Sequence, residues 1–571
     1  MAQLTQLPGA QALAGYRVGW LRSDLVAGLV LSTLLVPQGM AYAELAGLPP
    51  INGLYTSVLC LLAYAVFGPS RILVLGPDSS LGPMIAATII PIVGSGGDPT
   101  HAVALASMLA LIVGVLMVVA GIGRLGFIAD LFSRPTQIGY MNGLALTILV
   151  SQLPKLCGFS TDASGLLDEA RAFVEAVADG EVVGAALGIG LVSLAVIYGL
   201  RQWVPRVPGV LAAVLVAIAA SAALNLGEHG VSLIGTLPQG LPPLTLPHAD
   251  ADLKLLVAGA LGIVLVSLTD TISTASAFAA RTGQEMNGNA EMVGIGAANV
   301  AASLFQGFPV STSGSRTAVA EQSGARTQLA GVVGAAAILA MLVLLPGLLR
   351  SLPNPTLAAV VIAASLSLAD VPGTARLWHQ RRAEFLLSIA AFLGVALLGV
   401  LAGIGVAVAL SILNVFRHVW WPYQTTLGRV DGIPGLHDRT RYPQAEVLPG
   451  ATILRFDAPL LFANARTFRE QLRRLAAERP EWIIIAAEPI TDIDSTAADM
   501  LVDLDTELNA QGTSLVFAEL KDPVRAKLER YELIGPLDAD HFFATLGAAV
   551  TAFQQRTGAS WQAPQDAHCS G

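Results

Sequence analysis

The sequence has little charge and little cysteine. Only 13% of its 571 residues are charged, about half the share found in soluble domains. With 54% hydrophobic residues, this composition excludes an intrinsically disordered chain. The three cysteines, Cys60, Cys157 and Cys569, are scattered, which predicts neither a disulfide framework nor a cysteine-based metal site.

Motifs for ATP hydrolysis and covalent catalysis are also missing. None of the four lysines follows a glycine, so the chain has no Gly-Lys-Ser/Thr phosphate-binding loop. The eight histidines do not form an H-E-x-x-H motif, and no G-x-S-x-G nucleophile elbow is present. We therefore expect a protein that is not an enzyme, that has no metal or other cofactor, and that does not bind nucleic acid.

The charge is unevenly distributed along the chain. Residues 1–425 contain 18 Lys and Arg and 20 Asp and Glu, whereas residues 426–571, about a quarter of the length, contain 14 and 21. The first part is thus charge-poor and the second has the charge of an ordinary soluble domain. The sequence predicts a large membrane domain followed by a small water-soluble one.

Many runs in residues 24–425 approach the roughly 20 mainly apolar residues that a membrane-spanning helix needs. We predict fourteen spans, near 24–44, 53–67, 78–93, 102–121, 136–153, 182–203, 208–226, 254–279, 290–306, 312–323, 327–349, 355–370, 383–399 and 401–420. With a cytoplasmic segment at 1–23, thirteen arginines fall in inside loops and four Lys or Arg in outside loops, which agrees with the positive-inside rule. The prediction is a multi-pass protein of the inner (plasma) membrane, surrounded by lipid, with both termini cytoplasmic.

A weak internal repeat has an offset of 232 residues. Gln38 precedes Pro77 by 39 positions, and Asp270 precedes Pro309 by the same number. Each proline is followed by small polar residues, Asp78-Ser79-Ser80 in one copy and Ser311-Thr312-Ser313-Gly314-Ser315 in the other. Two copies of seven spans must insert with opposite orientation, which is typical of secondary transporters. If both short segments begin within the membrane, their positive N-terminal ends favour an anion in a shared cavity.

Arg316 lies inside a predicted span. Because a cation at this depth is costly, such residues usually face a cavity or a partner, and Arg316 is therefore a candidate anion ligand. The alternative is a structural ion pair with Glu321 or another carboxylate. The nearby serines could likewise bind helix carbonyls instead of substrate.

Asp270 lies deep within the predicted span 254–279. Burial disfavours an ionised carboxylate and a bound anion disfavours it further, so protonation and anion binding would strengthen each other. That hypothesis is proton–anion symport. The alternatives are a sodium site completed by Thr271 or Thr274, and a structural partner for Arg316. Asp78 is interpreted mainly as a helix N-cap, with a direct ion-coupling role as the second interpretation.

The C-terminal region alternates short strands with amphipathic helices. Strands are predicted at 451–457, 482–487 and 513–519, and helices at 464–477, 495–509, 523–531 and 544–555. This order favours a small, mostly parallel sheet with packed helices. We assign 426–450 to a linker, 451–556 to this α/β domain and 557–571 to a flexible tail, and expect a docking or regulatory module.

Several motifs resemble those of the sulfate permease (SulP) family. They are PQGMAYA at 37–43, GLPP at 47–50, GLY at 53–55, Gly76-Pro77, FQGFP at 305–309 and SGSRT at 313–317. The C-terminal part resembles the STAS domain of that family, with DIDST at 492–496 in the usual loop. The resemblance implies two inverted seven-span repeats arranged as gate and core, elevator-like motion and a homodimer.

The resemblance also implies an anion site between the third and tenth spans, lined by the first. It assigns substrate binding to Gln38, Tyr42, Ser79, Ser80, Ser313, Gly314, Ser315 and Arg316, ion coupling to Asp270 and Asp78, and regulation to Asp494, Ser495 and Thr496. Two positions depart from the pattern. Position 78 is Asp where animal members have an apolar or aromatic residue, and Ala497 replaces a glycine of anti-sigma-factor antagonists, so an N-cap is favoured over phosphorylation at Ser495 or Thr496.

The expected function is secondary active anion transport, with proton-coupled sulfate uptake as the leading hypothesis. The alternatives are sodium-coupled bicarbonate transport, C4-dicarboxylate transport, a passive anion channel or anion-dependent motor, and a nucleobase carrier of the same fold. The expected partners are the anion, H⁺ or Na⁺, a second copy of the chain and a cytoplasmic protein that binds the STAS domain.

Overall fold

The computed structural model describes residues 8, 9, 11, 15–94, 97–127, 132–161, 163, 165–204, 207–247, 253–282, 286–345 and 347–559. The chain divides into two compact units, Met1–Ser411 and Ile412–Gly571. Most of the predicted tail lies outside the described residues, as does Cys569.

The first unit is built from α-helices. They are α1 (Leu21–Leu45), α2 (Pro50–Phe67), α3 (Gly82–Val93), α4 (Pro99–Ile122), α5 (Arg134–Cys157), α6 (Leu166–Ala178), α7 (Gly184–Trp203), α8 (Gly209–Leu224), α9 (Leu253–Thr282), α10 (Gly288–Ser303), α11 (Gly314–Gln322), α12 (Leu329–Leu344), α13 (Asn354–Leu368), α14 (Val371–Gln380), α15 (Arg382–Leu398) and α16 (Val400–Trp420). The last of these begins in the first unit and ends in the second.

Fourteen of these helices overlap the fourteen predicted spans. Among the described residues, seven helical segments are long and apolar enough to cross a membrane by length and composition, so the number of crossings stays a prediction. The two helices without a predicted span, α6 and α14, are amphipathic. They follow the fifth and the twelfth predicted spans, which are equivalent positions in the two repeats.

The two segments predicted to open at Asp78 and Ser311 begin their helices later than expected. Helix α3 begins at Gly82 and has 12 residues, and α11 begins at Gly314 and has 9. At 1.5 Å per residue, both are well short of the roughly 30 Å hydrocarbon thickness. Their N-terminal ends therefore lie inside the fold, as half-helices do.

A two-stranded ladder joins the chain segments in front of α3 and α11. Strand β1 (Leu75–Gly76) pairs antiparallel with β2 (Ser311–Thr312). Two further bonds extend the ladder, from Ser313 N–H to Val74 O (3.1 Å) and from Val74 N–H to Thr317 Oγ1 (3.1 Å). The extended backbone in each strand finds its hydrogen-bond partners in the other repeat, which holds the two helix starts side by side.

Glycines allow the closest helix contacts of the first unit. A Cβ atom on Gly53 of α2 would lie 1.9 Å from the carbonyl oxygen of Gly39 on α1, and one on Gly139 of α5 would lie 1.9 Å from that of Ser388 on α15. Small residues at helix interfaces let backbones approach in this way. These glycine contacts pack α1 closely against α2 and α5 closely against α15. Both α1 and α5 contribute to the cavity described below.

The second unit contains a six-stranded sheet in the order β4-β3-β5-β6-β7-β8. Its strands are β3 (Gln424–Val430), β4 (Ile433–Asp438), β5 (Ala451–Phe456), β6 (Trp482–Ala486), β7 (Ser514–Ala518) and β8 (Phe542–Phe543), and its helices are α17 (Ala465–Ala476), α18 (Ser495–Ala510), α19 (Asp522–Arg530) and α20 (Leu546–Thr557). Strands β5 to β8 are parallel. The fully buried β6 separates a core around Phe468 and Leu501 from a second one around Phe553, as expected for a sheet covered on both faces.

The segment 426–450, predicted as a linker, forms part of the sheet in the structure. Most of β3 and all of β4 lie within it, and both belong to the sheet. They form a hairpin whose connection is Asp431-Gly432, with Gly432 at φ 77°. An Asp-Gly pair between apolar residues favours a tight hairpin, so the sequence contained a signal for these strands.

Candidate functional site

A cavity of about 820 Å³ lies in the first unit at the starts of the two half-helices. Its walls come mainly from α1, α7, α9, α11 and α13, together with the segment before α3. Nine of the residues predicted for substrate binding or ion coupling line it: Gln38, Tyr42, Asp78, Ser79, Asp270, Ser313, Gly314, Ser315 and Arg316. The fold thus brings together residues that are up to 278 positions apart in sequence.

Arg316 is almost completely buried, with 1% of its surface exposed, and lines the cavity. Its Nη1 donates to the carbonyl oxygen of Pro77 at 2.6 Å, and its Nη2 lies 3.7 Å from Oδ2 of Asp78. A Cβ atom on Gly76 would lie 3.4 Å from the guanidinium, so glycine leaves room for this close approach. The carboxylate partner is therefore Asp78, whereas Glu321 pairs with Arg281 at 3.3 Å.

The guanidinium is only partly hydrogen-bonded. Within the part of the chain that the structure describes, Nε and Nη2 of Arg316 have no hydrogen-bond partner although both atoms are buried. Buried polar atoms are nearly always paired, and an arginine offers a planar set of five donors that suits oxyanions. Arg316 thus has two unpaired, buried donors in the wall of the cavity.

The first turn of α11 adds backbone donors beside Arg316. Ser313 is the N-cap, and its hydroxyl accepts from Arg316 N–H at 3.5 Å and lies 3.1 Å from the hydroxyl of Ser315. Among the described residues, the N–H groups of Gly314 and Ser315 have no acceptor, as expected at a helix start. Both residues are exposed to the cavity, so the positive end of α11 faces its interior.

Two carboxylates share one serine at the start of α3. The Ser80 hydroxyl lies 2.8 Å from Oδ1 of Asp78 and 3.3 Å from Oδ2 of Asp270, and the Ser80 N–H donates to Oδ1 of Asp78 at 3.0 Å. Ser80 is fully buried and does not line the cavity. Ser80 therefore links the two carboxylates in this structure, and its predicted substrate contact stays a prediction.

The sequence predicted that the Asp78 side chain caps α3, but in the structure it does not. The N-cap residue is Leu81, which has no side-chain cap, and the Asp78 main-chain oxygen accepts from the N–H groups of Leu81 (3.3 Å) and Gly82 (3.2 Å). The carboxylate closes a short turn with Ser80 instead. Its second oxygen is left to face Arg316.

Helix α1 contributes Gln38 and Tyr42 to the cavity. The two residues are four positions apart and so lie on one face of the helix. The helix continues from Leu21 to Leu45 through Pro37 and Gly39. Gln38 is half-buried and Tyr42 is 5% exposed, which places an amide and a phenol hydroxyl opposite α11.

Some cavity residues were missed or interpreted differently. Ser273 and Thr274 line it one turn beyond Asp270 on α9, where helical spacing alone would predict them. Thr271, weighed as a sodium ligand, is instead buried and bonded to the Thr312 hydroxyl at 3.2 Å. Arg201, near the end of the predicted span 182–203, lies in the last turn of α7 and lines the cavity.

The sequence of the first unit matches a known family over most of its length. The model of the sulfate permease family matches residues 21–391. The chain belongs to the sulfate permease family. The model of the STAS domain matches residues 442–549, so the predicted family and the predicted C-terminal domain are confirmed. A probable sulfate transporter of Mycobacterium tuberculosis is 41% identical over 553 residues, which cover 96% of this chain and 98% of the relative.

Two solved structures share this permease fold. The murine anion transporter Slc26a9 in its inward-facing state matches with a TM-score of 0.87 and 23% identity, over 96% of this chain and 94% of the other. The transmembrane domain of the cyanobacterial bicarbonate transporter BicA matches with a TM-score of 0.60 and 24% identity, over 69% of this chain and 98% of the other. The predicted fold class, a helical membrane domain with a small α/β STAS domain, is confirmed.

The predicted regulatory residues of the STAS domain lie at the start of α18. Asp494 is the N-cap, and its two carboxylate oxygens accept from Ala497 N–H (2.8 Å) and Phe462 N–H (2.7 Å). Ser495 and Thr496 are exposed. The Lys527 ammonium, hydrogen-bonded to Asp492, lowers the pKa of that carboxyl. The predicted cap is present, and a regulatory role of these residues stays a prediction.

Proposed function

We propose that this sulfate permease homologue is a secondary active transporter that takes up sulfate together with protons. The observation that carries the proposal is the buried Arg316 guanidinium beside the free N–H groups of α11. Such donors bind tetrahedral oxyanions well. The sulfate assignment is supported by the name of the 41% identical mycobacterial relative.

Proton coupling is proposed for Asp270 and Asp78. The Ser80 hydroxyl has a single hydrogen and lies within hydrogen-bond distance of both carboxylates. It can donate to only one of them, so a full bridge requires a proton on the other. A proton bound here also lowers the negative charge beside the anion site, which favours a dianion.

Alternating access is supported by the direction in which the cavity extends. Arg201, Ser323 and Leu368 line it, and the positive-inside rule places the ends of their helices at the cytoplasmic side. We infer that this conformation is open to the cytoplasm. An elevator movement of the core against the gate would then carry the site to the other side of the cytoplasmic membrane. We propose that the carrier is a homodimer and that its STAS domains bind a cytoplasmic regulatory protein.

The test is radiolabelled sulfate uptake into proteoliposomes under imposed pH or Na⁺ gradients. We expect an inward proton gradient to drive accumulation above equilibrium, which a channel cannot do. Asp270→Asn should weaken stimulation by the proton gradient, because only Asp78 could then take up a proton. Glu321→Gln, which removes a carboxylate outside the cavity on α11, should leave stimulation unchanged.

Competition by unlabelled compounds discriminates among the alternatives. Unlabelled sulfate should compete more strongly than bicarbonate, fumarate or uracil. Uptake driven by Na⁺ instead of protons, or an Asp270→Asn carrier with wild-type pH dependence, would contradict the coupling mechanism. Stronger competition by bicarbonate or fumarate would contradict the substrate assignment.

A further inference from the structure

The ion pair between Arg316 and Asp78 is incomplete. The distance from Nη2 to Oδ2 is 3.7 Å, beyond hydrogen-bond range, and neither Nη2 nor Nε of Arg316 has another partner among the described residues. Buried arginine–carboxylate pairs usually form short, bidentate hydrogen bonds. Here the two charges face each other across the cavity wall without closing the bond.

The two carboxylate oxygens of Asp78 have different environments. Oδ1 accepts from the N–H and hydroxyl groups of Ser80, whereas Oδ2 faces Arg316. Ser80 thus fixes the orientation of the carboxylate. The Asp78 carboxylate presents its Oδ2 atom to the guanidinium, as a bound oxyanion would present one of its oxygens.

The charge balance around Asp78 depends on protons. Among the described residues, the charged or titratable groups that face it are Arg316 from α11, Asp270 from α9 and Tyr42 from α1. With both carboxylates ionised, the site carries a net charge of −1 and repels a dianion. One bound proton brings the charge to zero, and a second makes it positive.

We propose that Asp78 competes with the oxyanion substrate for Arg316. The substrate displaces Asp78 from the guanidinium as Asp78 takes up a proton. The inference rests on the proposed function and identifies Asp78 as the residue that sets the charge required of the substrate. In the empty carrier, Asp78 compensates the buried cation. In the loaded carrier, the anion takes over that role and the neutral Asp78 stays bound to Ser80.

The test is sulfate binding to the purified full-length protein in detergent at pH 5.5 and pH 8, measured by calorimetry. Each proton taken up with sulfate makes binding about tenfold weaker per pH unit above the titration range of the carboxyl. Asp78→Asn removes one such proton. We expect this variant to bind sulfate at least about tenfold more tightly than the wild type at pH 8, and its affinity to depend less steeply on pH.

The matched control is Glu321→Gln, which removes a carboxylate of α11 that pairs with Arg281 on α9 and should change neither affinity. Asp78→Ala, which removes the carboxylate with a different side-chain volume, should give the same result as Asp78→Asn. Because two different substitutions are compared, a folding defect in one of them does not decide whether Asp78 competes with sulfate. In the Asp78→Asn background, Arg316→Gln should cost more affinity at pH 8 than it does in the wild type.

Weaker sulfate binding by both Asp78 variants at both pH values would overturn the inference, because Asp78 would then position Arg316 and not compete with substrate. Unchanged affinity at pH 8 would overturn it as well. In either case wild-type binding would leave the proposed function standing. A wild type that binds none of sulfate, bicarbonate and fumarate would instead remove the proposed function, and this inference with it.

Discussion

The starts of the two half-helices α3 and α11 are equivalent in the repeat, but the buried or partly buried charges beside them, Asp78 and Arg316, have opposite signs. Their first residues, Gly82 and Gly314, are 232 positions apart, the offset of the sequence repeat. At the same offset, Arg316 corresponds to the buried Met84, and Asp78 corresponds to the buried Val310. The duplicated backbone supplies two helix starts, and the side chains decide that one contributes a carboxylate and the other a guanidinium.

The two starts also differ in how their backbone groups are satisfied. Before α3, the main-chain oxygen of Asp78 accepts from the first N–H groups. Before α11, the N–H of Val310 donates to Oδ1 of Asn299 at 2.9 Å, and Ser313 caps the helix. The N–H groups of Gly314 and Ser315 have no acceptor among the described residues, and this asymmetry supports the proposal that the anion binds at α11 and the proton at α3.

Replacing the cation should have the largest effect. Arg316→Met gives α11 the residue that α3 has at the equivalent position, and removes hydrogen bonds worth about 1.5–3 kcal/mol each when a charged group is involved. We expect sulfate uptake in proteoliposomes to fall at least about tenfold. Met84→Leu, the conservative change at the equivalent position, should keep nearly full uptake. If Arg316→Met kept half of the wild-type uptake, α11 would not be the anion site.

The two equivalent glycines should respond differently to alanine. A Cβ atom on Gly82 would lie 2.8 Å from Cδ2 of the buried Leu45, whereas one on Gly314 would lie no closer than 3.7 Å to Oγ1 of Thr274. We expect Gly82→Ala to destabilise the protein by about 1–3 kcal/mol and to lower its unfolding temperature in detergent. Gly314→Ala should leave that temperature unchanged or slightly raised, since alanine favours helices. The reverse order would show that the two starts are packed differently from this structure.

Removing the cap of α11 should have the smallest effect. Ser313→Ala deletes a capping hydroxyl, typically worth about 0.5–2 kcal/mol, that also faces the cavity. We expect the affinity for sulfate, measured by calorimetry, to fall about two- to fivefold. The control is Ser303→Ala on α10, whose hydroxyl bonds to the carbonyl of Val300 at 2.7 Å. Equal effects of both variants would argue against a special role of the α11 start.

Several features of the fold could be predicted because they have local sequence signals. The elements of the STAS sheet from β5 to β7 agree with their predicted bounds to within one or two residues, since strands and helices alternate there with clear periodicity. The amphipathic α6 was overlooked between two spans, although Leu166, Leu167, Ala170 and Val174 follow helical spacing. The ladder of β1 and β2 has no such signal, because two residues are too short to show a period.

The sequence by itself determined the apolar helices of the first unit, the repeat and the chemical types of the site residues, because hydropathy, charge and proline positions act over a few neighbouring residues. Only the tertiary structure decided that Arg316 faces Asp78 and not Glu321, and that Ser80 lies between two carboxylates. These contacts join residues 238 and 190 positions apart. Their distances follow from how α3, α9 and α11 pack around the strand ladder, which local sequence patterns do not encode.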